Sequence, residues 1–197
     1  MITFALAVFF LIITPGPGVL SAAGVGAAYG RQAGLSYVTG LWVGNNLVGV
    51  MVITGLAAVI LAVPFLRIIL LVASTAYLGY LALRIATAGA EISFLRQTRQ
   101  PALRDGVILQ FINPKAYAVN TALYSSFSFL PQAYISEVII KIIIVNVIWI
   151  PLHLIWLEAG VQLQKLSLSP IVTRRVNIAM AASLAAVVLL SLGSLVS

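Results

Sequence analysis

Long apolar runs separated by short polar turns make up nearly the whole chain. Each run is close to the roughly 20 apolar residues that a helix needs to cross a membrane. Six such runs cover residues 2–28, 37–63, 65–88, 106–130, 135–159 and 177–196. They are longer than the roughly ten alternating residues of a barrel strand, and they are apolar on every face. The pattern therefore predicts an all-α integral membrane protein with six transmembrane helices, forming a single domain over residues 1–197.

The composition agrees with a membrane protein. The chain is 62% hydrophobic and only 8% charged, whereas a soluble domain has about 25% charged residues. No basic residue precedes the first run, as it would in a secretory signal peptide, so we expect this segment to be retained.

The basic residues lie mostly in alternate turns. Eight Lys and Arg residues occupy the first, third and fifth turns: Arg31, Arg84, Arg96, Arg99, Arg104, Lys165, Arg174 and Arg175. The other turns hold Arg67 and Lys141. The positive-inside rule places the first group in the cytoplasm, and both termini in the periplasm. A cytoplasmic loop would then join two halves, at about 1–90 and 103–197. The net charge of +7 indicates contact with anionic lipid rather than nucleic acid.

Few residues are available for enzyme chemistry. The chain has no Cys, one His and four acidic residues, which are too few and too dispersed for a metal site or paired catalytic carboxylates. The sequence thus predicts neither a cofactor nor a metal, and no enzyme activity.

Two motifs interrupt the first and fourth runs at matching places. They are TPGPG at residues 14–18 and NPK at residues 113–115. Such a pair is typical of transporters built from two three-helix halves in opposite orientation. Proline removes a backbone donor and clashes with the preceding turn, and unpaired backbone groups are costly in hydrocarbon. The breaks therefore predict an inverted 3+3 repeat with broken helices 1 and 4 around a polar cavity, although simple kinks are the alternative.

These breaks define a predicted substrate site. Freed carbonyls can bind an ammonium group, and the N-terminus of a resumed helix can bind a carboxylate. The predicted substrate-binding residues come from both breaks and from the second helix: Thr14, Pro15, Gly16, Pro17, Gly18, Asn45, Asn46, Asn113, Pro114 and Lys115. Lys115 lies near mid-membrane, where a charge is usually functional, although it could extend its long stem to the surface. Asn45 and Asn46 lie beside Gly40 and Gly44, so they could equally make packing bonds.

Several other polar residues have two interpretations. His153 and Glu158 are candidates for proton coupling, because His153 is the only histidine and could titrate near neutral pH. A bond to a backbone carbonyl for His153, and a pair with Lys165 or an Arg for Glu158, are the alternatives. A polar group after NPK could line a path or join helices: Asn120, Ser125, Ser126 and Ser128.

The chain resembles the LysE/RhtB-type amino-acid exporters. The likeness rests on TPGPG, GRQAG at residues 30–34, AYLGYLALR at 76–84 and GVILQFINPKA at 106–116. It runs from about residue 10 to 132, and beyond this only hydrophobicity matches. The resemblance implies a homodimeric six-helix antiporter of the bacterial inner membrane. Such a protein would use the proton gradient to export amino acids such as lysine, homoserine or threonine, with TPGPG and NPK lining the pathway.

One position departs from that family. Many members carry an acidic residue just after the glycine that matches Gly44, where this chain has Asn45 and Asn46. If that acid carries the proton, this protein must use another group. A passive membrane pore and a scaffold subunit without transport remain alternatives to an exporter.

Overall fold

The computed structural model describes residues 1–14, 16–63 and 100–165, with scattered positions between 65 and 83 and between 171 and 182. Six helices and no strand are assigned within this part of the chain. They are α1 (Ile2–Ile13), α2 (Pro17–Ile53), α3 (Leu56–Ala62), α4 (Leu103–Ile112), α5 (Pro114–Ser125) and α6 (Tyr134–Lys165).

Both predicted breaks interrupt the helical backbone. α1 ends at Ile13, and Gly16 is fully extended with φ −159° and ψ 178° before α2 begins at Pro17. α4 ends before Asn113, whose φ of −80° and ψ of 107° are not helical, and α5 begins at Pro114. In each case proline occupies the first helical position, where its missing N–H removes no helical hydrogen bond.

A bend at Gly30 divides α2 into two segments. Gly30 has φ 81° and ψ −178°, a left-handed region that glycine adopts without the steric penalty of a Cβ atom. Residues 17–29 continue the first predicted crossing from α1, and residues 31–53 form the second. α2 as a whole and Tyr134–Leu163 of α6 are the described helices long and apolar enough to cross a membrane.

The second predicted crossing ends about ten residues earlier than its apolar run suggested. The run continues to residue 63, but the helix stops at Ile53 and the chain turns through Thr54 and Gly55, which has φ 78°. The turn was missed because it lies inside a continuous apolar stretch. The third and sixth predicted crossings, 65–88 and 177–196, lie mostly outside the described residues, as does most of the predicted cytoplasmic loop.

Glycines bring α2 into close contact with its neighbours. A Cβ atom added to Gly40 would lie 1.9 Å from the Leu103 carbonyl oxygen of α4, and one added to Gly160 of α6 would lie 2.0 Å from that of Ala23. A Cβ on Gly44 would lie 2.8 Å from the Gln110 Cβ. Gly40 and Gly44 thus form a small-residue face on which α4 packs.

A buried ion pair anchors the chain between α5 and α6. The Lys141 ammonium lies 2.8 Å from the Glu137 carboxylate, one helical turn away, and both side chains are buried. The Glu137 carboxylate also accepts hydrogen bonds from the backbone amides of Phe129 and Leu130, at 2.9 and 2.5 Å. Lys141 donates to the backbone carbonyl of Phe127. The ion pair thereby accepts hydrogen bonds from two backbone amides of this non-helical segment and donates one to a backbone carbonyl.

The same segment is packed against α1 through aromatic rings. Phe4 meets Phe127 edge to face at 5.6 Å and Phe129 at 5.9 Å between ring centroids. The Lys141 ammonium lies 5.9 Å from the Phe4 ring and 5.7 Å from that of Phe129. One cluster therefore joins α1, the α5–α6 connection and α6.

We expect Glu137→Gln to destabilise the protein more than the double change Glu137→Gln with Lys141→Met. The single change leaves a buried ammonium without its counter-charge, whereas the double change removes both charges. Thermal unfolding in detergent should show a lower midpoint for the single variant, and the double variant should recover roughly half of the loss. A double variant at least as unstable as the single one would contradict this role of the ion pair.

Candidate functional site

The two helix breaks meet at one cavity. Its empty space of about 480 Å³ includes solvent-open space at the mouth, and its lining comes from residues of α1, α2, α4, α5 and α6. The predicted site residues that line it are Thr14, Gly16, Gly18, Asn45, Asn113, Lys115 and His153.

Lys115 connects the two breaks directly. Its ammonium donates a hydrogen bond of 2.5 Å to the backbone carbonyl of Thr14, which is 101 positions away in the chain. Its aliphatic stem crosses Gly16, where an added Cβ would lie only 2.7 Å from the Lys115 Cδ. Glycine at this position thus leaves the space through which Lys115 reaches the first break. No carboxylate pairs with Lys115 among the described residues.

Asn113 holds the second break. Its side-chain oxygen accepts a 3.1 Å hydrogen bond from the Lys115 amide, which caps α5, and its amide group donates to the Gln110 side chain, also at 3.1 Å. Asn113 and Gln110 are both buried. The Phe111 carbonyl, near the end of α4, accepts a 2.9 Å bond from the Tyr117 hydroxyl. Side chains therefore satisfy backbone groups that the break sets free.

The structure separates the two neighbouring asparagines of α2. Asn45 lines the cavity, and its Oδ1 accepts a 3.2 Å hydrogen bond from Asn120, which also lines the cavity. Asn46 does not line it. Asn46 and Asn146 exchange reciprocal amide bonds of 3.0 and 2.9 Å, so Asn46 makes the interhelical packing bond that the sequence allowed as its alternative.

His153 and Glu158 also lie in different surroundings. His153 lines the cavity, with its ring stacked on Trp149 at 3.5 Å and its Nδ1 3.0 Å from the Trp149 carbonyl oxygen. Its Nε2 faces the start of α2, since a Cβ on Gly18 would lie 3.2 Å away. Glu158 does not line the cavity and forms a 3.2 Å ion pair with Arg31. An arginine partner for Glu158 was one of the alternatives that the sequence allowed.

Other predicted residues stand apart from the cavity. Pro17 and Pro114 begin their helices without lining it, and Pro15 lies outside the described residues. The predicted polar path beyond Asn120 does not extend along the chain, since Ser125, Ser126 and Ser128 are exposed and outside the lining.

Among the polar and aromatic lining residues, Gln110 and Trp149 were not predicted from the sequence. Gln110 lies three positions before Asn113, in the last turn of α4, and Trp149 lies four positions before His153 on the same face of α6. A search for polar or aromatic residues one turn from each candidate could have found both.

The cavity has a polar side and an apolar side. Lys115, Asn113, Gln110 and the Thr14 carbonyl lie at the breaks, where α2 and α5 both begin. The apolar lining comes from α1, the first turn of α2, α5 and α6: Leu11, Ile12, Val19, Ala116, Val119, Leu123, Val145 and Trp149. The arrangement suits a small molecule with a charged head and an uncharged body. No group of three or more potential metal ligands occurs among the described residues.

A family match covers nearly the whole chain. The sequence profile of the LysE type translocator family matches residues 9–196, so the likeness extends beyond residue 132 and includes the predicted fifth and sixth helices. No curated protein and no solved structure matches the chain. Because the profile matches nearly the whole chain and the described helices are apolar, the chain is a multi-pass membrane transport protein. It belongs to the LysE type translocator family.

Proposed function

We propose that this protein is a secondary active, proton-coupled exporter of amino acids or close derivatives in the bacterial inner membrane. The observation that carries the proposal is the position of Lys115. Its ammonium lies in a cavity where two broken helices meet, and it lacks a carboxylate partner among the described residues. An unpaired cation in such a place favours a substrate that brings its own carboxylate.

A zwitterionic substrate fits the polar side of this cavity. Its carboxylate would bind the Lys115 ammonium, beside the N-terminal ends of α2 and α5, where the helix dipoles favour negative charge. Its ammonium would bind the Thr14 carbonyl. That carbonyl now accepts a bond from the Lys115 ammonium, which supports its suitability as an acceptor. When the substrate arrives, the Lys115 ammonium would release the Thr14 carbonyl and bind the substrate carboxylate instead.

Proton coupling would use His153. Its ring lines the cavity together with Lys115, and an imidazole nitrogen can accept and release a proton. A proton on His153 would add a second positive charge to the cavity and alter its affinity for an anionic group. Glu158 is less suited to this role, because it is engaged by Arg31 outside the cavity.

The transport cycle would alternate access between the two halves of the chain. We propose an inverted repeat of six helices, with halves at about 1–90 and 103–197 that rock around the fixed cavity. Both termini would face the periplasm, and two copies would associate as a homodimer in contact with membrane lipid. A passive pore could use the same cavity, but it would not require a proton gradient.

We expect Lys115→Ala to reduce amino-acid efflux by at least about tenfold, because a charge-assisted bond to the substrate is lost. Cells loaded with dipeptides would supply high internal amino-acid concentrations, and appearance of the free amino acid outside would measure efflux. Lys165→Ala is the matched control, since Lys165 is exposed at the end of α6 and does not line the cavity.

Equal efflux by wild type and Lys115→Ala, at equal protein levels, would reject the proposed site. An uncoupler added to the wild type tests the energy source in the same assay. Efflux that continues unchanged down the amino-acid gradient would favour the passive pore over the exporter.

A second prediction concerns Gly16. We expect Gly16→Ala to lower the thermal stability of the wild type but not of the Lys115→Ala variant, because the three atoms nearest to the added methyl group all belong to Lys115. Unfolding midpoints in detergent for the four proteins of this cycle would give a coupling energy, expected to exceed about 0.5 kcal/mol. An equal loss in both backgrounds would mean that Gly16 is needed for some other reason.

A further inference from the structure

We propose that the cavity selects amino acids with uncharged side chains and rejects lysine and arginine. The inference rests on the proposed function, because it concerns the cargo of the same cavity. It departs from the wider substrate range implied by the resemblance, which includes lysine. The chain has few acidic residues, and their positions decide which charges the cavity can pair.

The chain contains four acidic residues: Glu91, Asp105, Glu137 and Glu158. Asp105 accepts a 2.8 Å hydrogen bond from the Ala102 amide at the start of α4. Glu137 is bound to Lys141, and Glu158 to Arg31. None of these three carboxylates lines the cavity.

The fourth acidic residue is not among the described lining residues either. Glu91 lies outside the described residues, in the polar stretch 90–105 whose sequence predicts a cytoplasmic loop. The third and sixth predicted crossings, 65–88 and 177–196, contain neither Asp nor Glu. If these helices complete the cavity wall, they therefore add no carboxylate to it.

A substrate with a cationic side chain would thus bring a charge that the cavity cannot pair. The α-carboxylate of any amino acid can be neutralised by Lys115, but the side chain of lysine or arginine would need a second anion. An unpaired charge moved from water into a low-dielectric site is strongly disfavoured. The positive charge of Lys115 opposes it further.

The lining provides instead for an uncharged side chain. Val119, Leu123, Val145 and Trp149 form an apolar wall on α5 and α6, which can pack against an aliphatic side chain. Beside it, Asn45 offers its Nδ2 group, for which no described residue serves as acceptor, while its Oδ1 is held by Asn120. A small hydroxyl side chain could accept that bond.

Asn45 also provides a way to reverse the selectivity. Asn45→Asp keeps the oxygen that accepts the Asn120 bond and replaces Nδ2 with a second carboxylate oxygen at the cavity wall. Asn46→Asp is the matched control, because it adds the same charge at the next residue, where the side chain faces Asn146 outside the cavity. Asn120→Asp is a second cavity variant, should Asn45→Asp fail to reach the membrane.

The experiment measures efflux of leucine, threonine and lysine from cells loaded with the corresponding dipeptides, at matched membrane levels of each variant. We expect the wild type to export leucine or threonine at least tenfold faster than lysine. We expect Asn45→Asp to raise lysine efflux relative to the neutral amino acids at least tenfold, and Asn46→Asp to leave the ratio unchanged.

The outcomes separate this inference from the proposed function. If the wild type exported none of the three amino acids, that result would count against the exporter itself. Lysine efflux by the wild type as fast as that of leucine and threonine would leave the exporter standing and overturn the selectivity. The same gain of lysine efflux in Asn45→Asp and Asn46→Asp would also overturn it, because the position of the charge would then be irrelevant.

Discussion

Backbone groups released inside a membrane must find new partners, and this requirement organises the structure. Water cannot satisfy them within hydrocarbon, so a break in a transmembrane helix persists only where protein or a polar cavity supplies hydrogen bonds. At the first break the Thr14 carbonyl receives the Lys115 ammonium. At the second, the Asn113 side chain caps α5. Lys115 takes part in the hydrogen bonds at both breaks, and the cavity lies where the two breaks meet.

Close contacts between helices surround the breaks and shape the cavity. Gly40 and Gly160 allow α4 and α6 to approach the backbone of α2, and such close contacts fix the relative positions of helices. The Glu137–Lys141 pair ties the connection before α6 into the same frame.

Much of this architecture could be read from the sequence, because proline and glycine act locally. The prolines of TPGPG and NPK disfavour a continuous helix, and the structure has both breaks at those motifs. The end of the second crossing could not be found in this way. Thr54 and Gly55 turn within an unbroken apolar run, so hydropathy carries no signal there.

The division of the site among neighbouring residues was also beyond the sequence. Asn45 and Asn46 are chemically identical, but adjacent helical positions point about 100° apart, so only one of them can face the cavity. Which one does depends on how α2 is rotated against α5 and α6. The roles of His153 and Glu158 diverge for a similar reason, since one faces the start of α2 and the other meets Arg31.

The accessibility of single cysteines measures most directly whether the cavity at the helix breaks is open to solvent. The chain contains no native cysteine, so each variant carries one thiol. Cysteine at Asn45 or Val119 of the cavity lining would be compared with cysteine at the fully buried Val48, using a membrane-impermeant thiol reagent applied to either side. We expect the two lining positions to react and an exported amino acid to slow the reaction, while position 48 stays inert. Lining positions as inert as position 48 from both sides would contradict a solvent-accessible cavity at the helix breaks.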